Sequence, residues 1–550
     1  MVSQRRGRRI RGVCLTAAFA IGLLGAITEA LAGPSPQRTV RVRIAGHGDP
    51  NGRSSQPSLS ADARHVAFTS AATNLTPQDL NGHVQDVLVY DQGTSAVSLL
   101  SAGVDGRGAD GPSGEPVLSA NGAIVVFSST ATNLVADDHN LVSDIFVRGG
   151  GEGPVRVSLA PNGAEANGES SQPDLSGDGR RLVFTSRADN LVGGDSNERS
   201  DVFVRDLVTG TTSLVSAPRG GGPASGSSSA PAISPDGRFV SFSSTAANLV
   251  ERDDNGLADV FLRNLATGQT YLISAARAGG GQNRALNERR AAASDVSRDG
   301  RFVVFESDAT NLAGRDRNDA TDVFVRDRLK RSTRRVSLSV TNEEGSGASF
   351  LPTITPDGRF VAFQSRADDL VPESAFGLDV FVRDLVSDTT VLANVTARGR
   401  PRGSERSAPP VERPSLSADA GTVAFASSAS NLAGGDTNSK ADVFLRRLTP
   451  AASAVATPRV GLIGGRLLIV FESRVRAAGP LRCRLDGGPP RLCPLGGLLL
   501  PRLRPGQHVL RGLAGAPGSL YARRPIVIRI HVGRKGAPRV RVQNPGDALG

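Results

Sequence analysis

The chain has 550 residues, 39% hydrophobic and 21% charged, which is enough for several domains and too mixed in composition for a wholly disordered protein. Its 64 glycines and 33 prolines, with apolar residues in short bursts of Val, Phe, Leu and Ile, argue against a helical bundle or a coiled coil. The formal charge of +11 comprises +4 in residues 1–32, −7 in 33–458 and +14 in 459–550, which excludes a nucleic-acid groove extending over the whole fold.

Residues 1–32 have the pattern of a secretory signal peptide. Five arginines precede an apolar run over 13–27, and Ala30-Leu31-Ala32 provides a cleavage site of small residues. The run is short for a membrane span, so an uncleaved anchor is the alternative. No later stretch is long enough to cross a bilayer. We therefore expect an extracytoplasmic protein, whether periplasmic, secreted or held at the cell surface.

A repeat built around Asp-Val-Phe-Val-Arg dominates the chain. Ahead of it come a Pro-x-Leu/Ile-Ser segment, an Asp-Gly turn such as 236–237, and an alternating apolar run such as 239–243, a combination typical of a β-hairpin. A further short strand, for example 212–216, follows it. Four antiparallel strands per repeat predict a β-propeller blade, with a linear β-array as the alternative. Seven copies occur at spacings of 57 to 63 residues, starting at Asp86, Asp144, Asp201, Asp259, Asp322, Asp379 and Asp442.

The ends of the repeat region indicate a closed ring. The seventh repeat lacks a fourth strand, because the chain enters a linker at 449–458. Residues 39–44 match the fourth-strand pattern and precede the first repeat. An N-terminal strand that completes the last blade would leave no open sheet edge. The fold class expected is therefore all-β, a seven-bladed propeller over 33–448.

The Pro-Asp-Gly turns at 235–237 and 356–358, each followed by an apolar strand that ends near Phe-x-Ser, resemble those of the TolB-like (WD-type) propeller family. The resemblance covers all seven repeats and implies the propeller fold. Proteins of that family named TolB combine an N-terminal α/β domain with six blades and act in a periplasmic system. This sequence has seven repeats and no room for such a domain before residue 39, so their partners are not transferred to it.

A polar pattern precedes the repeated aspartate in five repeats. An Asp lies six residues before it and an Asn four residues before it, and such oxygen donors suit Ca²⁺. The alternative is that Asx side chains bond their own backbone and staple the turns. No other cofactor is expected. We call these segments the acidic loops; the candidate ligands are Asp138, Asn140, Asp195, Asn197, Asp253, Asn255, Asp316, Asn318, Asp436 and Asn438.

The acidic loops should share one face of the propeller with the long connections between blades, such as 162–172 and 219–229, which are rich in Gly, Ser and Asn. We call this the long-loop face; the opposite face should carry only tight turns. The long-loop face and the central channel are the first places to expect a ligand. The alternative is that the connections are only flexible links.

Residues 459–533 differ from the repeats, with strands expected at 466–472 and 525–532. The sequence from Cys483 to Cys493, followed by Leu-Arg-Pro-Gly-Gln-His at 503–508, resembles secreted bacterial Ig-like modules. Cys483 and Cys493 are the two cysteines left after signal cleavage, and we expect them to form a disulfide that closes a short excursion. A basic flexible tail is expected at 534–550.

No catalytic constellation is recognisable in the sequence. No Ser has Gly at both −2 and +2, and the six histidines lack metal-ligand spacing. The prediction is an exported, non-enzymatic scaffold that binds a protein or a cell-envelope polymer through its long-loop face. The alternative is an extracellular glycan-acting lyase or hydrolase that uses the central channel, which a carboxylate and His cluster at the channel would favour.

Overall fold

The structure is a computed structural model. It describes residues 39–43, 48–149, 151–251, 253, 255–276, 293–314, 316–339, 341–372, 374, 377–396 and 412–448, together with strand segments between 459 and 543, most of them by backbone only. The predicted signal peptide (1–32), the linker (449–458) and the cysteine side chains of the predicted disulfide lie outside what the structure describes. Within the described part of the chain, no helix is long and apolar enough to cross a membrane.

Seven four-stranded antiparallel sheets form the blades, as the repeats predict. The strands of the first four blades are β2 (Ser54–Leu59), β3 (His65–Ser70), β4 (Asp86–Asp91) and β5 (Ala96–Leu99); β6 (Ser113–Leu118), β7 (Ile124–Ser129), β8 (Asp144–Gly149) and β9 (Val155–Arg156); β10 (Ser170–Leu175), β11 (Arg181–Ser186), β12 (Asp201–Asp206) and β13 (Thr211–Leu214); β14 (Ser228–Ile233), β15 (Phe239–Ser244), β16 (Asp259–Asn264) and β17 (Gln269–Leu272). Those of the last three are β18 (Ser294–Val296), β19 (Phe302–Ser307), β20 (Asp322–Asp327) and β21 (Ser332–Arg335); β22 (Ser349–Ile354), β23 (Phe360–Ser365), β24 (Asp379–Asp384) and β25 (Thr389–Leu392); and β26 (Ser415–Leu416), β27 (Thr422–Ser427) and β28 (Asp442–Arg447) with β1 (Thr39–Arg41).

Strand β1 closes the ring, which confirms the prediction from residues 39–44. It pairs antiparallel with β28 through Thr39 opposite Arg446, Val40 opposite Leu445 and Arg41 opposite Phe444. The N-terminal strand thus becomes the fourth strand of blade 7. Closure satisfies the backbone groups of β28 that would otherwise form an exposed edge.

Phenylalanine pairs fill the centre of the blades. The strand register places a Phe of the second strand opposite a Phe of the third in six blades, with ring centroids 5.8 or 5.9 Å apart. In blade 1, Leu88 faces Phe68 instead. Each pair also packs on the preceding blade; Phe242 and Phe261 of blade 4, for example, contact a cluster that includes Val183 and Val202 of blade 3. The core therefore lies between blades, and a blade alone could not bury it.

The C-terminal strands form two antiparallel sheets. The predicted strands at 466–472 and 525–532 are confirmed as 466–470 and 526–532. The predicted flexible tail, 534–550, contains a strand at 539–543 that pairs with its predecessor, so those five residues belong to a sheet. One sheet contains β29 (Arg459–Ile463), β30 (Arg466–Val470) and β33 (Leu498–Leu499), and the other contains β31 (Arg482–Leu485), β32 (Arg491–Leu492), β34 (Gly506–Leu513), β35 (Ile526–Val532) and β36 (Arg539–Gln543).

Candidate functional site

The first strands of all seven blades surround a central cavity of about 1120 Å³. Its wall also includes the tight turns between first and second strands, such as Ala61, Gly177 and Pro356. None of its described lining residues comes from the acidic loops. The cavity therefore extends toward the tight-turn face, opposite to the long-loop face.

Backbone bulges in the first strands connect neighbouring blades around this cavity. The residue before the proline of the Pro-x-Leu/Ile-Ser segment has a positive φ in five blades, for example 50° at Gln56 and 54° at Glu115, an unusual value for a non-glycine residue. The bulge turns its N–H toward a Gln or Glu side chain of the preceding blade, four of which line the cavity, and these hydrogen bonds link the blades. They run from Gln56 N to Glu412 Oε2 (2.7 Å), Glu115 N to Gln56 Oε1 (3.0 Å), Gln172 N to Glu115 Oε2 (2.7 Å), Ala230 N to Gln172 Oε1 (2.9 Å) and Leu351 N to Glu306 Oε2 (2.6 Å).

A second series of hydrogen bonds, between backbone groups only, links the tight turns of successive blades. Each N–H in it donates to a carbonyl of the next blade, and the series of bonds is interrupted at Pro235 and at Pro356, because proline has no N–H. Sequence reasoning missed both series of hydrogen bonds, although the Gln-Pro and Glu-Pro dipeptides recur at the bulges. The backbone bonds run from Ala418 to Ala61 (2.9 Å), Ala61 to Ala120 (2.8 Å), Ala120 to Gly177 (2.9 Å), Gly177 to Pro235 (3.0 Å) and Arg298 to Pro356 (2.9 Å).

Among the charged residues of the cavity wall, Asp174 lies near Asp295 and Arg413. Asp174 Oδ2 accepts the N–H of Ile233 at 2.7 Å. Burial raises the pKa of Asp174 to about 7, the charge of Asp295 adds to the rise, and the Ile233 N–H and Arg413 oppose it. A carboxyl group that holds a proton near neutral pH is a group that general acid–base chemistry can use.

The raised pKa of Asp174 predicts a pH-dependent stability. The unfolded chain releases this proton near its ordinary value of 3.8, whereas the folded protein keeps it up to about pH 7. The contribution of Asp174 to the free energy of unfolding is therefore present at low pH and lost as the pH rises from about 4 to about 7. We expect Asp174→Asn to remove this loss, so its advantage over the wild type in unfolding midpoint grows over that interval.

Asp178→Asn is the matched control for this measurement. Asp178 lies in the adjacent turn, where the Ser176 hydroxyl and the Arg180 N–H hold its pKa below the ordinary value against the effect of burial. The contribution of Asp178 to the free energy of unfolding is lost only at lower pH. The unfolding midpoints of this variant and of the wild type should therefore change in parallel between pH 5 and 8. Parallel curves for Asp174→Asn as well would contradict the prediction.

The asparagines of the acidic loops form hydrogen-bond cross-links within the fold. Asn197 Nδ2 donates to Asp201 Oδ2 at 2.7 Å and to the Ala224 carbonyl of the next connection at 3.1 Å, while its Oδ1 accepts the Arg199 N–H at 2.9 Å. The Oδ1 atoms of Asn140, Asn255, Asn318 and Asn438 likewise accept the N–H two residues on. These contacts correspond to the Asx-turn interpretation of the loops.

The repeated aspartate that begins each third strand is the residue to which these asparagines link their loops. Asp201 is fully buried and accepts the Ser216 hydroxyl at 2.6 Å in addition to Asn197. The Ser216 hydroxyl in turn accepts the Val202 N–H at 3.0 Å. Side-chain bonds therefore tie this aspartate to its loop and to the segment after the fourth strand.

In three blades an arginine lies between the acidic-loop aspartate and the strand aspartate, where a cation would bind. Arg156 Nη1 lies 3.0 Å from Asp138, 3.5 Å from Asp144 and 2.7 Å from Glu165. In blade 7, Arg41 lies 3.1 Å from both Asp436 and Asp442. Sequence reasoning missed these arginines because each lies on a strand outside the acidic loop whose aspartate it contacts.

The third such arginine is Arg335 in blade 5. The carboxylates of Asp316, Asp322 and Glu344 are close enough together to hold a metal ion. Arg335 lies among them, with Nε 3.1 Å from Asp322 and further contacts to the other two. The guanidinium thus supplies the positive charge in this blade. Blades 3 and 4, with Asp195 and Asp253, have Leu214 and Leu272 at the arginine position, and calcium binding there stays a prediction.

The long connections are bonded to the acidic loops in their described parts. Asn167 N donates to Asn190 Oδ1 at 3.1 Å, and Asp189 N donates back to Asn167 Oδ1 at 3.1 Å. Equivalent pairs join Asp110 with Asn133 and Ser225 with Asn248, and the same arrangement occurs in blades 1 and 6, which lack the acidic pattern, between Asn51 and Asn74 and between Ser346 and Asp369. The connections are therefore anchored segments and not merely loose links.

Similarity to known proteins is confined to the fold. No protein-family model matches the chain, and no curated protein matches it. Among solved structures, an oligogalacturonate lyase in complex with manganese is 15% identical, with a TM-score of 0.44 over 76% of this chain and 97% of the lyase. TolB from Acinetobacter baumannii is 16% identical, with a TM-score of 0.35 over 66% of this chain and 76% of TolB. An acylaminoacyl peptidase is 11% identical, with a TM-score of 0.42 over 78% of this chain and 58% of the peptidase. The chain is a seven-bladed β-propeller.

Proposed function

We propose that the protein is an exported, non-enzymatic scaffold that binds a partner through its long-loop face. The observation that carries this proposal is the bonding of connections and acidic loops in both directions, for example from Asn167 N to Asn190 Oδ1 and from Asn190 Nδ2 back to the Glu165 carbonyl. A surface held in one conformation loses little entropy on binding, so its contacts contribute more of their energy to affinity. Export is supported by the sequence pattern of residues 1–32.

Exposed apolar side chains on the long-loop face favour a protein partner over a polysaccharide. Val104, Leu80 and Leu141 are 70%, 66% and 78% exposed, and all three belong to the loops and connection of blades 1 and 2. Large exposed apolar side chains in one region commonly mark interaction surfaces. The partner proposed is therefore an envelope or extracellular protein with an apolar contact patch.

A photo-reactive amino acid at Val104 tests this proposal in the full-length protein made by its own cell. Val208 is the matched control, because it is 75% exposed on a tight turn of the opposite face. We expect a discrete protein adduct from position 104 and none from 208, and we expect Leu141→Asp to weaken the adduct. Equal labelling from both positions, or none from 104, would refute binding through this face.

The central cavity gives a second candidate function, a glycan-acting lyase or hydrolase. The observation that favours it is Asp174, which faces the charge of Asp295 in the cavity and keeps a proton to near neutral pH. Such a group could act as a general acid. The test is turnover of a panel of acidic and neutral polysaccharides by the purified protein. Turnover that Asp174→Asn abolishes and Val104→Asp spares would establish the enzyme; no turnover by the wild type would exclude it for that panel.

A further inference from the structure

The loop between β3 and β4 in blade 1 differs from the acidic loops by one residue. Asn81 precedes its strand aspartate, Asp86, by five positions instead of four. Its amide still donates to Asp86 Oδ2 at 2.7 Å and to the Ala109 carbonyl at 2.8 Å. Its Oδ1, however, is buried without a hydrogen-bond partner among the described residues. In the acidic loops, the N–H two residues further on donates to the corresponding oxygen.

Asp79, two residues earlier, is the most unusual carboxylate of the loop. It is only 3% exposed, and neither of its oxygens has a hydrogen bond of normal geometry from a described residue. Burial raises its pKa to about 6, the Asp86 charge adds to the rise, and the nearby Asn81 N–H and His83 oppose it. A buried carboxylate without a partner is costly, so this loop is expected to have a ligand that supplies one.

The arginine that supplies positive charge in blades 2, 5 and 7 has no counterpart in blade 1. That arginine always lies opposite the third residue of the third strand, as Arg156 lies opposite Phe146. The residue opposite Leu88 in blade 1 is Leu99, which is buried and apolar. Asp79 and Asp86 thus occupy the positions that receive a guanidinium in blades 2, 5 and 7, and no described arginine takes that place in blade 1.

We propose that blade 1 binds a calcium ion through the Asp79 carboxylate, the Asn81 Oδ1 atom and the Asp86 carboxylate. All three donors are oxygens, a set that selects a hard cation such as Ca²⁺ over softer metals. Asp86 also accepts the Ser101 hydroxyl at 2.6 Å and the Asn81 amide, which fixes its orientation. The ion takes the electrostatic role that Arg41, Arg156 and Arg335 have in their blades.

The test is calcium titration calorimetry of the full-length protein after EDTA treatment, at pH 7.5 in physiological salt. We expect Asp79→Asn to bind one equivalent of calcium fewer than the wild type. We expect Leu99→Arg, which places in blade 1 the residue type of blades 2, 5 and 7, to lose the same equivalent and to unfold no earlier than the wild type in EDTA.

Asp138→Asn is the matched control, because Arg156 already neutralises that loop, and it should bind as much calcium as the wild type. If Leu99→Arg fails to fold, the nearly isosteric Asp79→Asn decides the question alone. No calcium binding by the wild type, or full binding by Asp79→Asn, would overturn the proposal.

Discussion

Replacing Arg41 with alanine is expected to lower the free energy of unfolding by about 3–5 kcal/mol, the usual cost of removing one partner from a buried ion pair. The Arg41 side chain is 2% exposed and contacts Asp49, Asp436 and Asp442. Its removal would take the Arg41 charge away from these three carboxylates. Arg41 also belongs to β1, so the same substitution weakens the strand that closes the ring.

Arg64→Ala is the control for this prediction. Arg64 also pairs with an aspartate, Asp91 at 3.2 Å, but its side chain is 56% exposed. Exposed pairs contribute about 0–1 kcal/mol, so the variant should unfold close to the wild type. The chain has no Trp, and urea unfolding is therefore best followed by circular dichroism. Equal shifts for the two variants would show that the Arg41 cluster does not hold the ring together.

The repeat architecture could be predicted from the sequence because its signals are local. The spacing of Asp-Val-Phe-Val-Arg gives the number of blades, and the Asp-Gly turns give the hairpins. Ring closure could be predicted because a fourth-strand pattern is absent at one end of the repeats and present at the other, at 39–44. Each of these inferences needs only residues within one repeat, or a comparison between repeats.

The candidate site depends on contacts between distant segments, which periodicity does not reveal. Arg156 follows Asp138 by 18 residues, and the strand register of β8 and β9 brings them together. The bonds between bulges and Gln or Glu side chains join different blades, for example over 59 residues between Gln56 and Glu115. The loop of blade 1 escaped the pattern because its single extra residue shifts the spacing that identified the other acidic loops.

Phe203→Ala is the second substitution with a large expected effect, about 3–5 kcal/mol of unfolding free energy, because it creates a cavity in a core that cannot collapse easily. Phe203 is fully buried and stacks on Phe184 with ring centroids 5.8 Å apart. Its cluster also includes Val126 and Ile145 of blade 2. The substitution should therefore loosen the contact between blades 2 and 3 as well as blade 3 itself.

Blade 1 supplies the control for this prediction, because Leu88 occupies there the position that Phe203 has in blade 3, and Leu88 is also fully buried. An apolar substitution that nearly conserves volume usually costs less than about 1.5 kcal/mol. We therefore expect Phe203→Leu to shift the urea midpoint much less than Phe203→Ala. If both variants lost the same stability, the aromatic stack itself, and not the filled volume, would be what the interface between blades requires.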